Sequence, residues 1–398
     1  MLPLEGMRIL DFTQMMFGPF ATQMLGDTGA DVIKVERPGG EWERRLSYRG
    51  TLLDDVSPFF LAMNRNKRSI CINLKEEEGR QLARRLAAQC QVVVSNFRPG
   101  VMERMGLGYE QLKSVRPDII VVEGTGWGSA GPYLSRPGQD LLVQAVGGVT
   151  WATGRDGEMP TPAGTSIADA LGATHLVIAI LTAYSHWQRT GEGQLVQVNL
   201  LDSLMSVQCQ EAVAWMNLGG DLTRPRVTPG APWIGAPFGI YQVQDGYIAL
   251  AMNDFGVLAR VLGAPQLEVY RDPERAFAER ESAARELSAI LRARSLDVLD
   301  TLLDADVWCA QVQTLPEALS DPQVLHNEMV IDVVHPKYGA LKLTGHPVHY
   351  QGTPADPYRR PVPSPGEHTR DVLQGSGLQA EAIDGLLSRG VVVESGEA

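Results

Sequence analysis

The chain has 398 residues, of which 44% are hydrophobic and 21% are charged, and its formal net charge is −12 at pH 7. This length is enough for two domains, because a single hydrophobic core rarely grows beyond about 250–300 residues. The negative charge argues against a nucleic-acid partner, which would require clustered lysine and arginine side chains.

The start of the chain, MLPLEGMRILDFT, has no basic segment followed by an apolar run and a small-residue cleavage site. We therefore expect no secretory signal and a cytoplasmic location. The longest apolar stretch, residues 168–184, is shorter than the roughly 20 apolar residues of a membrane span, so we expect a buried core helix and no membrane partner. Four widely separated cysteines and scattered histidines predict neither a disulfide framework nor a metal site.

The first third of the sequence alternates short apolar strands with amphipathic helical segments. Strands are predicted at MRILDFT, DVIKVERP, VVVSNF and PDIIVVEGT, and helices at PFATQMLGDTG and EEGRQLARRLAAQ. This alternation is typical of parallel βαβ units in an open, Rossmann-like α/β sheet. Ligands of such sheets bind at the carboxyl ends of the strands, so the residues that follow each strand are candidates for a binding site.

A long helix is predicted from Thr165 to Arg189, with Thr165 or Ser166 as its N-cap. Asp169 lies in its first turn. On position alone, such a carboxylate is most often a group that complements the helix dipole or caps the helix. A strand, GQLVQVNLL, and a helix, SLMSVQCQEAVAWMNLGG, follow.

A Pro- and Gly-rich segment after residue 220 is interpreted as a linker to a second, smaller domain. That domain begins with a strand pair, FGIYQV and GYIALAM, and continues with amphipathic helices. We therefore predict a large α/β domain over residues 1–224, a small α+β domain over 225–325 and a C-terminal segment over 326–398.

Two motifs are candidates for phosphate binding. The loop GTGWGSAG has the spacing G-x-G-x-G and comes late in the sheet, which argues against a dinucleotide site. The basic run NRNKRSICINLK contains Arg65, Lys67, Arg68 and Lys75, which are suited to phosphate groups. A solvated charged face is an equally good interpretation of this run.

Several ordered segments together carry a family resemblance: LDFTQMMFGPFATQMLGDTGADVIKVERPGG, NRNKRSICINL, NFRPGVMERMGLGYEQL, GTGWGSAGPY, RPGQDLLVQAVGG, SIADALGATH, TGEGQLVQVNLLDS and SPGEHTRDVL. They resemble the class III coenzyme A transferases of the CaiB/BaiF type, which include formyl-CoA transferase and carnitine CoA-transferase. The resemblance extends over nearly the whole chain.

The resemblance implies an enzyme that moves coenzyme A from an acyl-CoA thioester to a free carboxylic acid. It implies an aspartate nucleophile at Asp169, with an aspartyl anhydride and an aspartyl-CoA thioester as intermediates. Coenzyme A and acyl-CoA are then substrates, and no cofactor is tightly bound. The resemblance further implies an interlocked homodimer, in which the C-terminal segment returns to the large domain.

The residues that the resemblance assigns to coenzyme A binding are Met16, Phe17, Arg37, Ile72, Asn73, Leu74, Lys75, Asn96, Phe97, Arg98, Arg104 and Arg136. Met16 replaces a glutamine that supports the active site in some members. Gln139 and Asp140 are expected to support the active site, Asp140 either by holding its geometry or by capping a helix.

Two alternatives stay open. The α-methylacyl-CoA racemases are similar to this family and use a histidine at the position of Gln139. A glutamine amide neither accepts nor releases a proton near neutral pH, so this substitution favours transfer over racemisation. A non-catalytic CoA-binding protein is the other alternative.

Overall fold

A computed structural model describes residues 1–220 and 222–396, which form two compact units. Unit 1 consists of Met1–Val143, Ser166–Leu204 and the described part of Pro322–Ala398, and unit 2 consists of Gln144–Thr165 and Met205–Asp321. The boundaries differ from those predicted at residues 224 and 325, because two further segments belong to unit 2.

The described residues form the following strands and α-helices. The strands are β1 (Arg8–Asp11), β2 (Asp31–Glu36), β3 (Lys67–Ile72), β4 (Val92–Ser95), β5 (Ile120–Thr125), β6 (Leu195–Asn199), β7 (Gly239–Gln242), β8 (Tyr247–Leu250), β9 (Cys309–Gln311), β10 (Val330–His335), β11 (Gly339–Thr344) and β12 (Val392–Val393). The helices are α1 (Phe17–Asp27), α2 (Pro58–Met63), α3 (Glu77–Ala87), α4 (Val101–Arg104), α5 (Tyr109–Val115), α6 (Asp140–Val146), α7 (Val149–Ala152), α8 (Ile167–Thr190), α9 (Leu200–Val207), α10 (Cys209–Leu218), α11 (Phe255–Val261), α12 (Pro273–Ala278), α13 (Arg280–Arg292), α14 (Val298–Asp304), α15 (Leu315–Ala318), α16 (Pro322–His326), α17 (Thr369–Gly375) and α18 (Ala380–Ser388).

A seven-stranded sheet organises the described part of unit 1. Its strand order is β12-β3-β2-β1-β4-β5-β6, and every strand pairs in parallel except β12, which is antiparallel to β3. The predicted α/β class with an open, mostly parallel sheet is confirmed. The strand order reverses at β1, which lies between β2 and β4, and a crevice at such a switch point is where doubly wound sheets bind ligands.

The two faces of β2 and β3 differ in chemistry. Ile33 and Ile70 lie on the face that joins the large hydrophobic core of unit 1. Lys34, Glu36 and Lys67 alternate with them and are also buried. Burial of charged groups costs several kcal/mol unless they are paired, so this face has to be built from ion pairs.

At Arg65 and Lys67 the basic run is neither a phosphate site nor a solvated face, and both interpretations were wrong for these two residues. Arg65 is 1% exposed and pairs with Asp27 at 2.7 Å, and Lys67 is fully buried and lies 3.3 Å from Asp11. The segment is strand β3. Its charged residues conceal the apolar alternation by which a strand is usually recognised.

Helix α8 runs for 24 residues and has one buried face. Its buried positions, which include Gly172, Leu176 and Ile180, recur at helical spacing and pack against α1 and the sheet. Ile178 is 54% exposed, so only one face of the helix is buried where we expected a buried core helix. By length and mean hydropathy, 1.6 over its most apolar window, α8 is the one helix among the described residues that could cross a membrane.

Unit 2 contains the antiparallel sheet β7-β8-β9 and a core of its own. The predicted strand pair is β7 and β8. A cavity of about 870 Å³ lies within this unit and is lined mainly by apolar residues, among them Trp233, Phe238 and Trp308.

Candidate active site

Asp169 lies in the first turn of α8 and is partly buried. Within residues 1–220 and 222–396, no group donates a hydrogen bond to its carboxylate. The first turn of a helix normally offers free N–H groups to an anion. Those nearest to Asp169 are already taken by a neighbouring carboxylate, that of Asp140.

Asp140 caps α8 from the start of another helix, α6. Its Oδ1 accepts hydrogen bonds from the backbone N–H groups of Ala168 at 2.8 Å and Asp169 at 3.2 Å. Ser166 occupies the N-cap position, one of the two predicted, but its side chain makes no capping hydrogen bond, so Asp140 supplies the cap in its place. Asp140 thereby fixes the turn that carries Asp169, a role for which an aspartate oxygen is well suited.

The electrostatic surroundings of Asp169 favour its protonated form. Burial, followed by the charge of Asp140, raises the pKa of the Asp169 carboxyl to about 7. Desolvation and a like charge both disfavour an ionised carboxylate. A carboxyl group with a pKa this far above its ordinary value, in the absence of a cationic partner, is characteristic of functional sites.

The residues that follow β1 to β5 gather at one edge of the sheet, because parallel strands end on the same side. A cavity of about 80 Å³ at this edge is lined by four of the predicted coenzyme A contacts: Asn96, Phe97, Arg98 and Arg136. The Arg136 guanidinium stacks on the ring of Tyr133 at 3.7 Å, which orients it. Trp127 also lines the cavity and was not predicted, although it follows β5 directly.

The other predicted contacts lie outside this cavity but mostly at the same ends of the strands. Arg37, Lys75 and Arg104 are exposed and Met16 is partly exposed, while Asn73 and Leu74 follow β3. Ile72 is fully buried in the core, so only its backbone is available to a ligand. Gln139 is exposed and immediately precedes α6.

Phe17 has a structural position that the sequence did not indicate. Its side chain is 5% exposed, and its ring lies between Gly124 at the end of β5 and Gly172 in α8. A Cβ at Gly124 would lie 2.7 Å from this ring, and one at Gly172 would lie 2.9 Å from it. Phe17 thus sets the distance between the sheet and the helix turn that follows Asp169.

The glycine-rich loop after β5 permits a close backbone approach. A Cβ on Gly126 would lie 2.5 Å from the Cα of Gly138, so both positions require glycine. This contact holds the turn before Asp140 against the sheet edge. The described residues contain no group of three or more His, Cys, Asp or Glu side chains placed to hold a metal ion.

The sequence of this chain matches CoA-transferase family III over residues 4–369. It is 34% identical to the mouse succinyl-CoA:glutarate CoA-transferase, over 98% of this chain and 91% of that protein. It is 33% identical to the succinyl-CoA–D-citramalate CoA-transferase of Chloroflexus aurantiacus, over 93% of each chain. A CaiB/BaiF family protein from Brucella suis has a similar structure, with a TM-score of 0.81, 29% identity, and coverage of 94% of this chain and 99% of that chain.

The fold and the sequence thus define a family III enzyme, which confirms the resemblance found in the sequence. The chain belongs to CoA-transferase family III. It is accordingly an enzyme that transfers coenzyme A, with CoA thioesters as substrates.

Proposed function

We propose that this enzyme transfers coenzyme A between carboxylic acids through covalent intermediates on Asp169. The observation that carries the proposal is the state of this carboxylate, which is partly buried, receives no hydrogen bond from a described residue and lies beside Asp140. A poorly solvated carboxylate is a stronger nucleophile than a hydrated one. Asp140 holds the turn in place and also provides the like charge that destabilises the anion.

The proposed reaction begins with attack of an Asp169 carboxylate oxygen on the thioester carbonyl carbon. The C–S bond breaks, leaving a mixed anhydride and the CoA thiolate. The thiolate attacks the aspartyl carbonyl carbon, the C–O bond breaks, and the donor acid leaves as a carboxylate. The acceptor carboxylate then reverses both steps, so the enzyme returns to its initial state without net consumption of a proton or an electron.

The substrate class follows from the relatives. Relatives that act on succinyl-CoA take glutarate, D-citramalate or mesaconate as the second acid, according to their names. We infer succinyl-CoA as donor and a short dicarboxylic acid as acceptor. A second carboxylate on each substrate would require a cationic group in the site, and the exposed arginines at the carboxyl edge of the sheet have the required charge.

The test is intact-mass spectrometry of the enzyme incubated with succinyl-CoA and treated with hydroxylamine. We expect a hydroxamate at Asp169, absent from Asp169→Ala. Asp202→Ala is the matched control, because Asp202 also occupies the first turn of a helix, α9, and should leave the adduct unchanged. Exchange of the α-proton for deuterium without any adduct would instead support the racemase alternative.

We also propose that the enzyme is located in the cytoplasm and that it forms a homodimer. The homodimer is supported by exposed apolar residues. In unit 1, the exposed face of α8 carries Ile178. In unit 2, α10 has no buried residue, and its large apolar side chains Trp215, Met216 and Leu218 are at least half exposed. Exposed apolar side chains clustered on one helix are typical of a protein interface. The resemblance suggests that a second copy of this chain covers them.

A further inference from the structure

Residues 13–19, hereafter loop 13–19, comprise the connection after β1 and the first turn of α1, and they have a strained shape. Met15 has a φ of 61°, a left-handed conformation that residues other than glycine seldom adopt. Such a conformation persists only where its surroundings fix it. Gly18 approaches Thr13 so closely that a Cβ there would lie 2.2 Å from the Thr13 Cβ. The loop therefore needs firm anchors at both ends.

Two buried lysines, one on β2 and one on β3, provide these anchors. Lys34 on β2 donates a hydrogen bond from Nζ to the carbonyl oxygen of Thr13 at 2.9 Å. Lys67 on β3 donates from Nζ to the carbonyl oxygen of Pro19 at 3.0 Å. Both lysine side chains are fully buried, so neither can touch a bound substrate. Hydrogen bonds from a charged donor are shorter and stronger than those from a neutral one.

The middle of the loop is held by a residue that follows β4. The side-chain amide of Asn96, which follows β4, accepts from the backbone N–H of Gln14 at 2.8 Å and donates to its carbonyl oxygen at 2.7 Å. Asp11 accepts a hydrogen bond from the backbone N–H of Thr13 at 2.8 Å. Side chains from β1, β2 and β3, and from the loop after β4, therefore hold one short loop at the switch point of the sheet.

Stability alone does not account for buried lysines at these positions. Lys34 is neutralised by Glu41 at 2.7 Å, inside a cluster that also contains Asp11 and Lys67. Replacement of a buried ion pair by apolar residues of similar volume is often neutral or stabilising, because the charges no longer have to be desolvated. The lysines donate directed hydrogen bonds to the loop, which apolar residues in their place could not do.

We infer that Lys34 and Lys67 are positioning residues, which hold loop 13–19 in the shape that presents Met16 and the backbone of Phe17 to coenzyme A. The inference rests on the proposed function, since the resemblance assigns this loop to the coenzyme A site. Their effect reaches the substrate only through the loop.

The test compares two buried ion pairs of unit 1. The double variant Lys34→Met/Glu41→Gln removes one anchor and leaves no unpaired charge. The control Arg65→Met/Asp27→Asn removes a pair with the same 2.7 Å separation, whose arginine is bonded to Asp27 and Thr344 and not to the loop. For each protein we would measure the Kd of coenzyme A by titration calorimetry, the rate of succinyl-CoA-dependent adduct formation on Asp169, and the thermal midpoint.

Loss of the anchor should weaken coenzyme A binding roughly tenfold or more and slow adduct formation, since small displacements of a positioned group cost this much. The control should change the thermal midpoint but leave the Kd within about twofold of the parent value. Equal Kd values in the two double variants would overturn the inference while leaving the proposed function intact. A parent enzyme that neither binds coenzyme A nor forms the adduct would overturn both. If the first double variant does not fold, Asp11→Asn/Lys67→Met, which removes the anchor at Pro19, is measured in its place against the same control.

Discussion

Asp169 can act as a nucleophile only when it is ionised, and its surroundings work against ionisation. An aspartate carboxyl with its ordinary pKa near 3.9 is fully ionised at neutral pH, so that nucleophilicity and not deprotonation would limit the reaction. In the structure, burial and the charge of Asp140 raise the pKa of Asp169 to about 7, so about half of the carboxyl groups are protonated at neutral pH. Protonation is therefore part of the chemistry of this residue.

The first prediction concerns the pH dependence of activity. Because the ionised form of Asp169 attacks, kcat/KM for the acyl-CoA should fall about tenfold per pH unit below a midpoint near 7. Asp140→Asn keeps an oxygen for the two N–H groups at the start of α8 but removes the like charge, so its midpoint should move to lower pH. Steady-state rates between pH 5 and 9 measure both midpoints. Coincident profiles for the two proteins would contradict the electrostatic assignment.

The second prediction concerns stability. An acidic group with a raised pKa in the folded state stabilises the fold below about pH 4, and this contribution is lost as the pH rises to about 7. Asp169→Asn should therefore be more stable than the parent at pH 8, by up to about 4 kcal/mol, and the difference should shrink towards pH 4. Urea unfolding at pH 8 and at pH 5 measures it. Asp202→Asn, which removes a carboxylate from an exposed helix start, is measured in parallel as the control.

At the scale of the elements, prediction from the sequence succeeded where apolar periodicity was clear. The strands that became β1, β2, β4 and β5 and the first turn of α8 were recognised in this way. Strand β3 was missed because its buried face carries Lys67 and Ser69 in place of apolar residues. Helix capping was one of the two roles predicted for Asp140, but the helix that it caps was not predicted, because Asp140 reaches α8 from 28 residues earlier in the chain and no local pattern encodes such a contact.

The packing of α8 gives the third prediction. Gly to Ala inside a helix normally stabilises it by about 1 kcal/mol. At Gly172 the added Cβ would lie 2.6 Å from Leu200 and 2.9 Å from the ring of Phe17. Gly172→Ala should therefore destabilise unit 1 by roughly 1–3 kcal/mol. It should also slow adduct formation at Asp169. Gly385→Ala in α18 is the matched control, because its Cβ would meet only the flexible end of Arg389. Chemical denaturation compares the two variants, and equal effects would be evidence against the packing role of Phe17.

At the scale of the molecule, the α/β class and the family were predictable from the sequence, but the division into units was not. Residues 144–165 and 205–220 were assigned to the large domain because they follow its helices and strands without a break in composition. In the structure, they belong to unit 2. The sequence records the order of elements along the chain, whereas the membership of a unit depends on contacts between distant segments.

The fourth prediction tests the proposed interlocked homodimer. Two chains threaded through one another can separate only if one of them unfolds, whereas an ordinary dimer exchanges subunits at a rate set by dissociation of its interface. Two preparations of this enzyme, distinguished by isotope labelling, should therefore form no mixed dimers when they are mixed in the folded state, even after days of dilution. Mixed dimers should appear after joint unfolding and refolding, as native mass spectrometry would show. Mixed dimers in the folded sample would exclude interlocking, and a monomeric mass at every concentration would exclude the dimer itself.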